Sequence, residues 1–190
     1  MRYLYISLII ILVIIGLSCS NSQPNKSDST SISIDFKQLG LDISNVSQMT
    51  LLKNVSTQIQ NKGVDSAITF CNLNASTLID NLSKKHNVTI SRVSLKNRNP
   101  KNDLNELEQN LWNHYTTLWP RQNDTIITTQ NKTTYYRPIA IGMPTCLKCH
   151  GQIKEIGTNT LATIQTLYPN DKATGYQLNQ LRGFWKIEFN

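Results

Sequence analysis

Apolar and polar positions along this 190-residue chain recur with two different periods, and each change of period marks an element. Val46, Met49, Leu52, Val55 and Ile59 fall at helical spacing, which predicts a helix over 46–60. Val64, Ala67, Ile68, Cys71, Ala75, Leu78, Ile79 and Leu82 share one face of a second helix, 64–82, with Asn61-Lys62-Gly63 between the two. Asp65 suits its first turn. From Val88 to Leu95 β-branched residues alternate instead, as in a strand. Asn97 to Asn102 reads as a loop, because Pro100 disfavours helix before it. Leu104, Leu107, Leu111, Tyr115 and Leu118 predict a helix over 104–119. A hairpin follows over 125–129 and 133–141, turning near Asn131-Lys132, then a helix over 160–167 and a strand over 183–189. Helices first and antiparallel strands after them argue an α+β fold.

The N-terminus follows neither period. Met1-Arg2 leads into an apolar run from Tyr3 to Leu17, the build of a secretory signal. It falls short of the roughly 20 apolar residues of a spanning helix. The run stops at Ser18-Cys19-Ser20, a small residue before a cysteine, like the bacterial lipobox, with Gly16 where a branched apolar residue is usual. The expected organisation is a signal segment 1–18, a flexible tether 19–34 and one domain 35–190. The tether is rich in Asn, Ser and Thr and cannot offset its ordering entropy by burial. Cys19 is the expected lipid site, which makes the chain an exported, periplasmic, membrane-anchored lipoprotein.

Composition changes this picture little. With 39% hydrophobic residues the domain can build a packed core. The formal charge of +7 is scattered, with no basic run, so no nucleic-acid partner is expected. Four cysteines, Cys19, Cys71, Cys146 and Cys149, are too few for a disulfide-built scaffold.

The chemistry lies in Cys146-Leu147-Lys148-Cys149-His150, the C-x-x-C-H pattern of c-type haem attachment. Two cysteines three apart reach the two vinyl groups of one haem, and the adjacent histidine lies beneath the macrocycle where a ring nitrogen binds iron. A disulfide between Cys146 and Cys149 leaves His150 without a task. A zinc site needs further ligands, and Cys71, His86 and His114 are not paired in spacing. For the sixth position on iron the candidates are Cys71, His86, His114, Met49, Met143, water or an open site. By its place on the apolar face, Cys71 is otherwise a small core residue.

Several further motifs stand in order around this one. Arg92-Val93-Ser94-Leu95-Lys96-Asn97-Arg98-Asn99-Pro100-Lys101-Asn102 precedes it, and Tyr136-Arg137-Pro138-Ile139 comes closer. Tyr168-Pro169-Asn170-Asp171-Lys172-Ala173-Thr174-Gly175-Tyr176 and Leu181-Arg182-Gly183 follow. Together they resemble a bacterial family of PAS-like c-type haem domains, catalogued as a domain of unknown function. Its members are periplasmic sensor regions of histidine kinases and stand-alone haem proteins. The resemblance spans about Val46 to Phe189 and implies a PAS-like antiparallel sheet with long N-terminal helices. It implies one covalently attached haem c, with Cys146 and Cys149 as thioether sites and His150 as the proximal iron ligand. It also implies Cys71, in Ala67-Ile68-Thr69-Phe70-Cys71, as the other axial ligand. The chain departs from the family at Gln177-Leu178-Asn179-Gln180, where an acidic residue often precedes the Arg-Gly pair. Of Arg92, Arg98 and Arg137, the last, beside Pro138, is the foremost candidate for a haem propionate.

The leading expectation is a redox or small-ligand sensor that signals to a protein partner. An electron carrier in a periplasmic redox chain is the alternative. A peroxidase-like enzyme, which needs an exchangeable distal position, is the least favoured.

Overall fold

A computed structural model describes residues 34–190 apart from Gln122 and Asn131. The expected signal segment and Cys19 lie outside the described residues, as does all of the expected tether but Ile34. No helix among the described residues is long and apolar enough to cross a membrane.

The first helix, α1, runs Phe36–Lys62 and starts ten residues before its expected place. Asp35 caps it, its carboxylate accepting from the amides of Lys37 and Gln38 at 3.0 Å each. The face it buries carries Gly40, Ile43, Ser44, Ser47 and Leu51. That stripe is half small and polar, so hydrophobicity alone does not find it. Val46, Met49 and Leu52 sit on the opposite side, and Met49 is 70% exposed. The small residues allow close approach: a Cβ on Gly40 would overlap the ring of Tyr135.

Helix α2, Val64–His86, buries Ala67, Ile68, Ala75 and Ile79, the face its sequence predicts. It ends at Asn87 in the left-handed region, φ 52°, and the chain turns directly into β1, Val88–Val93. A 3₁₀ turn over Pro100–Asn102 leads to α3, Glu106–Leu118. Strands β2, Thr125–Thr129, and β3, Lys132–Ala140, form the expected hairpin. Then come α4, Pro144–His150, a 3₁₀ turn over Ile153–Glu155, α5, Thr158–Leu167, and β4, Leu181–Phe189.

The four strands are antiparallel in the order β1-β4-β3-β2, so the α+β expectation holds. On one face Ile90, Trp185, Ile187 and Tyr135 pack against Ile43 and Leu51 of α1 and Ala75 and Ile79 of α2. On the other, Val93, Phe184 and Tyr136 pack against Trp112 and Tyr115 of α3. Period-two alternation thus buries both faces of the sheet. Arg92, Trp185 and Arg137 stand opposite one another across β1, β4 and β3, on the face toward α1 and α2.

On the α3 face, Glu108 is buried and fully engaged. It caps α3 through Asn105, accepts from Tyr136 Oη at 3.1 Å and pairs with Lys186 Nζ at 2.8 Å. This polar group interrupts the apolar stripe expected of α3, where Leu107 and Leu118 turn outward.

Candidate haem site

The C-x-x-C-H residues occupy α4, a seven-residue helix opened by Pro144 at its first turn, where a missing amide proton costs nothing. Gly151 ends it. A Cβ there would meet the Leu147 carbonyl oxygen and a Glu155 carboxylate oxygen, each at 2.6 Å. Two backbone bonds then tie the helix end to a loop: Gly175 N donates to Gly151 O at 2.8 Å and Tyr176 N to His150 O at 2.9 Å.

That loop is in turn fixed by the motif after β1. Arg98 forks onto Asp171, Nε to Oδ1 at 3.0 Å and Nη2 to Oδ2 at 3.2 Å, and Nη2 also donates to the Cys149 carbonyl at 2.7 Å. Lys172 N donates to Asn97 O at 3.0 Å, and Lys96 Nζ to Thr174 O at 2.6 Å. The Arg98 and Asp171 motifs, far apart in sequence, are therefore two halves of one clasp around the end of α4.

The clasp sets the chemistry of His150. Its Nδ1 lies 2.7 Å from the Ala173 carbonyl, which can only accept, so Nδ1 carries the proton and Nε2 is left with its lone pair. Burial holds the His150 pKa well below the ordinary imidazole range, and the cations Arg182, Arg98 and Arg92 push the same way. The ring is neutral at neutral pH, the form that ligates a metal.

Cys149 packs against Ile68, Ile156 and Ile164, which seats α4 on α2 one turn from Cys71. Burial raises the Cys71 thiol, while Arg92 and Arg98 pull it down. Cys149 is pushed up to about 11, chiefly by burial, with Arg98 opposing and Cys71 and Cys146 adding to the rise. All three cysteines of the described residues are free thiols.

Of the sixth-position candidates, Cys71 is the one that shares the electrostatic neighbours Arg92 and Arg98 with His150. His114 is exposed on α3, across the sheet. His86 ends α2, Met49 projects outward from α1, and Met143 is a half-exposed residue just before α4. Among the described residues no three or more His, Cys, Asp or Glu side chains converge as a metal cage.

Arg137 is held elsewhere. Its Nη1 donates to Ser44 Oγ at 3.2 Å and Asn45 Oδ1 at 2.5 Å, which locks α1 onto β3. The cations beside His150 are Arg92, Arg98 and Arg182, with Lys96 next to Arg182. The guanidinium of Arg182 lies 5.4 Å from the Tyr176 ring centroid and Lys96 Nζ 4.4 Å, while the His150 ring meets it edge-on at 6.4 Å. The Tyr176 hydroxyl is buried with no hydrogen-bond partner among the described residues. In the sequence, Arg182, Lys96 and Tyr176 stand out only as members of the ordered motifs, with no role of their own.

The donor set fits a haem. Two thiols lie one helical turn apart on α4, an imidazole presents a free Nε2, a third thiol stands on α2, and an unsatisfied buried hydroxyl adjoins them. Comparisons with known proteins bear on the fold and the family. The cyanobacterial heme-protein Tll0287 has a crystal structure that aligns with a TM-score of 0.54 at 20% identity, over 76% of this chain and 92% of that one. No curated protein matches the chain. The sequence profile described as Tll0287-like matches residues 28–190, and with that span the chain belongs to the Tll0287-like family.

Proposed function

We propose that this chain is an exported, lipid-tethered, mono-haem c-type protein that senses redox state or a small ligand, with His150 and Cys71 on the two sides of the iron. The observation that carries it is the His150–Ala173 hydrogen bond beside the free thiols of α4 and α2, because it presents a neutral imidazole nitrogen. Cys146 and Cys149 would be the thioether sites, and a tethered cofactor needs no enclosing pocket. Bound haem would supply a one-electron couple, and a place for a diatomic ligand on displacement of Cys71. Cys71 as a thiolate would favour the oxidised state; burial works against that charge, and Arg92 and Arg98 beside it offset part of the cost. The order β1-β4-β3-β2 is taken as PAS-like, a sensor architecture, with the signal passed to a protein partner. Cys19 would hold the lipid.

The test is the visible spectrum of the purified protein, oxidised and reduced, with and without carbon monoxide. Haem that stays on the chain after denaturation is the expected result, and its absence sinks the proposal. A Cys71→Ala variant with an unchanged ferric spectrum removes Cys71 from the iron.

The second reading is a mono-haem electron carrier. The clasp that fixes both ends of the His150–Gly151 segment favours it, since a carrier keeps its ligands in both oxidation states. Six-coordination unchanged by reduction and indifferent to carbon monoxide decides for the carrier. Neither role requires the chain to be an enzyme.

A further inference from the structure

We propose that Arg92 and Arg182 form a clamp for the two carboxylates of the haem, with Lys96 as an auxiliary cation. The clamp rests on haem occupying the site as assigned above.

Arg92, Lys96, Arg98 and Arg182 gather around His150, and the single ion pair any of them makes among the described residues is Arg98 with Asp171. The Arg98 fork is already spent on Asp171 and the Cys149 carbonyl. The other three make no ion pair among the described residues, although the charge of Asp171 acts at longer range on Lys96 and Arg182. Arg182 donates from Nη1 to Ser94 Oγ at 2.8 Å and stands over Tyr176. Lys96 has the Thr174 carbonyl and the same ring. Arg92 faces the Trp185 ring at 5.7 Å.

Unpaired cations set this deep in a fold are costly, and burial works against the charge of all three. Each of the three residues is nevertheless intermediate in exposure, not fully buried. An anion entering there meets donors already in place. A guanidinium matches a carboxylate with two parallel N–H···O bonds, a geometry lysine cannot give. Haem brings two carboxylates on one edge, and Arg92 on β1 and Arg182 on β4 supply two forks. Ser94 steadies the second fork, because its hydroxyl accepts from Arg182 Nη1 while donating to the Arg182 carbonyl at 2.6 Å. Arg137 has no such freedom, being committed to Ser44 and Asn45.

The experiment compares holoprotein carrying Arg92→Gln, Arg182→Gln or Arg92→Lys with Arg137→Gln and wild type. Resonance Raman reads the propionate bending band, and redox titration reads the midpoint potential. Arg92→Gln and Arg182→Gln should each move the band. Each should also shift the equilibrium about tenfold toward ferric haem, a fall of about 59 mV, because a cation no longer offsets the added electron. Arg92→Lys should move the band while largely keeping the potential, which separates the fork from mere charge. Arg137→Gln should leave both unchanged. An unmoved band in both Gln variants, or an equal shift in Arg137→Gln, overturns the clamp while leaving the haem site standing. If the Gln variants lose native far-ultraviolet circular dichroism, the band in Arg92→Lys and in Arg182→Lys decides. Wild-type protein without covalent haem overturns the assignment and the clamp together.

Discussion

Arg98 grips Asp171 along one edge and the carbonyl of Cys149 with the same Nη2, so one side chain joins the loop after β1, the loop before β4 and the end of α4. The two charged side chains are only 11% and 8% exposed. Removing one partner of so buried a pair strands the other.

Arg98→Ala should therefore lower stability by about 3 kcal/mol, the low end for breaking a buried ion pair. Asp171→Ala should cost a similar amount, and the double variant clearly less than the two single losses added together. Urea unfolding of the four proteins checks this. Strict additivity would mean that the clasp is not an interacting pair.

A second expectation concerns alkaline pH. Burial raises the hydroxyl pKa of both Tyr135 and Tyr136, reinforced by Asp124 for the first and Glu108 for the second. Lys186 is raised as well: burial pulls it down, but the bond and charge of Glu108 outweigh that. Each group holds its proton more tightly folded than unfolded. Their contribution is complete below the unfolded values of about 10 for tyrosine and 10.4 for lysine, and is lost as pH climbs through the higher folded values. The thermal midpoint should thus fall steeply from about pH 10 upward. In Glu108→Gln the fall should be shallower, though the starting midpoint is lower, and parallel curves for the two proteins would count against the coupling.

Gly40→Ala should destabilise the chain, although alanine is the better helix former by about 1 kcal/mol. The added methyl meets the ring of Tyr135, itself fully buried and bonded through its hydroxyl to Asp124 at 2.7 Å. Overpacking of this kind costs about 1–3 kcal/mol. A gain in the denaturant midpoint would show that α1 does not approach the sheet so closely.

Arg137→Ala should weaken the union of α1 with β3 by about 1 kcal/mol, through loss of its bonds to Ser44 and Asn45. The absorption spectrum of the haem-loaded protein should not change. A shifted ferric spectrum would return Arg137 to the cofactor.

The sequence made the element order and α2 legible because α2 carries its core face in unmistakable apolar residues, Ala67, Ile68, Ala75 and Ile79. It misdirects on α1, where Gly40, Ser44 and Ser47 share the packing with Ile43 and Leu51 while Val46, Met49 and Leu52 point outward. Glu108 shows a related blindness: a carboxylate in a core position is intelligible only once Tyr136 and Lys186 are seen opposite it. At the site, Cys146, Cys149 and His150 are contiguous and could be read as a string. The cations belong to separate strands and loops. Their meeting depends on pairing Arg92 with Trp185 across β1 and β4, and no local pattern encodes that. Arg137 stood out because it is near the haem motif along the chain, whereas distance in sequence says nothing about which guanidinium is left without a partner.

The position of β4 carries a kinetic consequence. It is the last strand in the described chain, yet it lies inside the sheet, bonded to β1 on one edge and β3 on the other. Pairing Val88 with Phe189 closes a loop that contains nearly every other strand and helix after α2, and contacts so remote along the chain form slowly. Until that strand docks, Arg182 is not beside Arg92 and the charge around His150 is incomplete. Chains in which that strand has not docked therefore present the Cys146-to-His150 helix without Arg182, and the proposed pair of forks is complete only once β4 is paired.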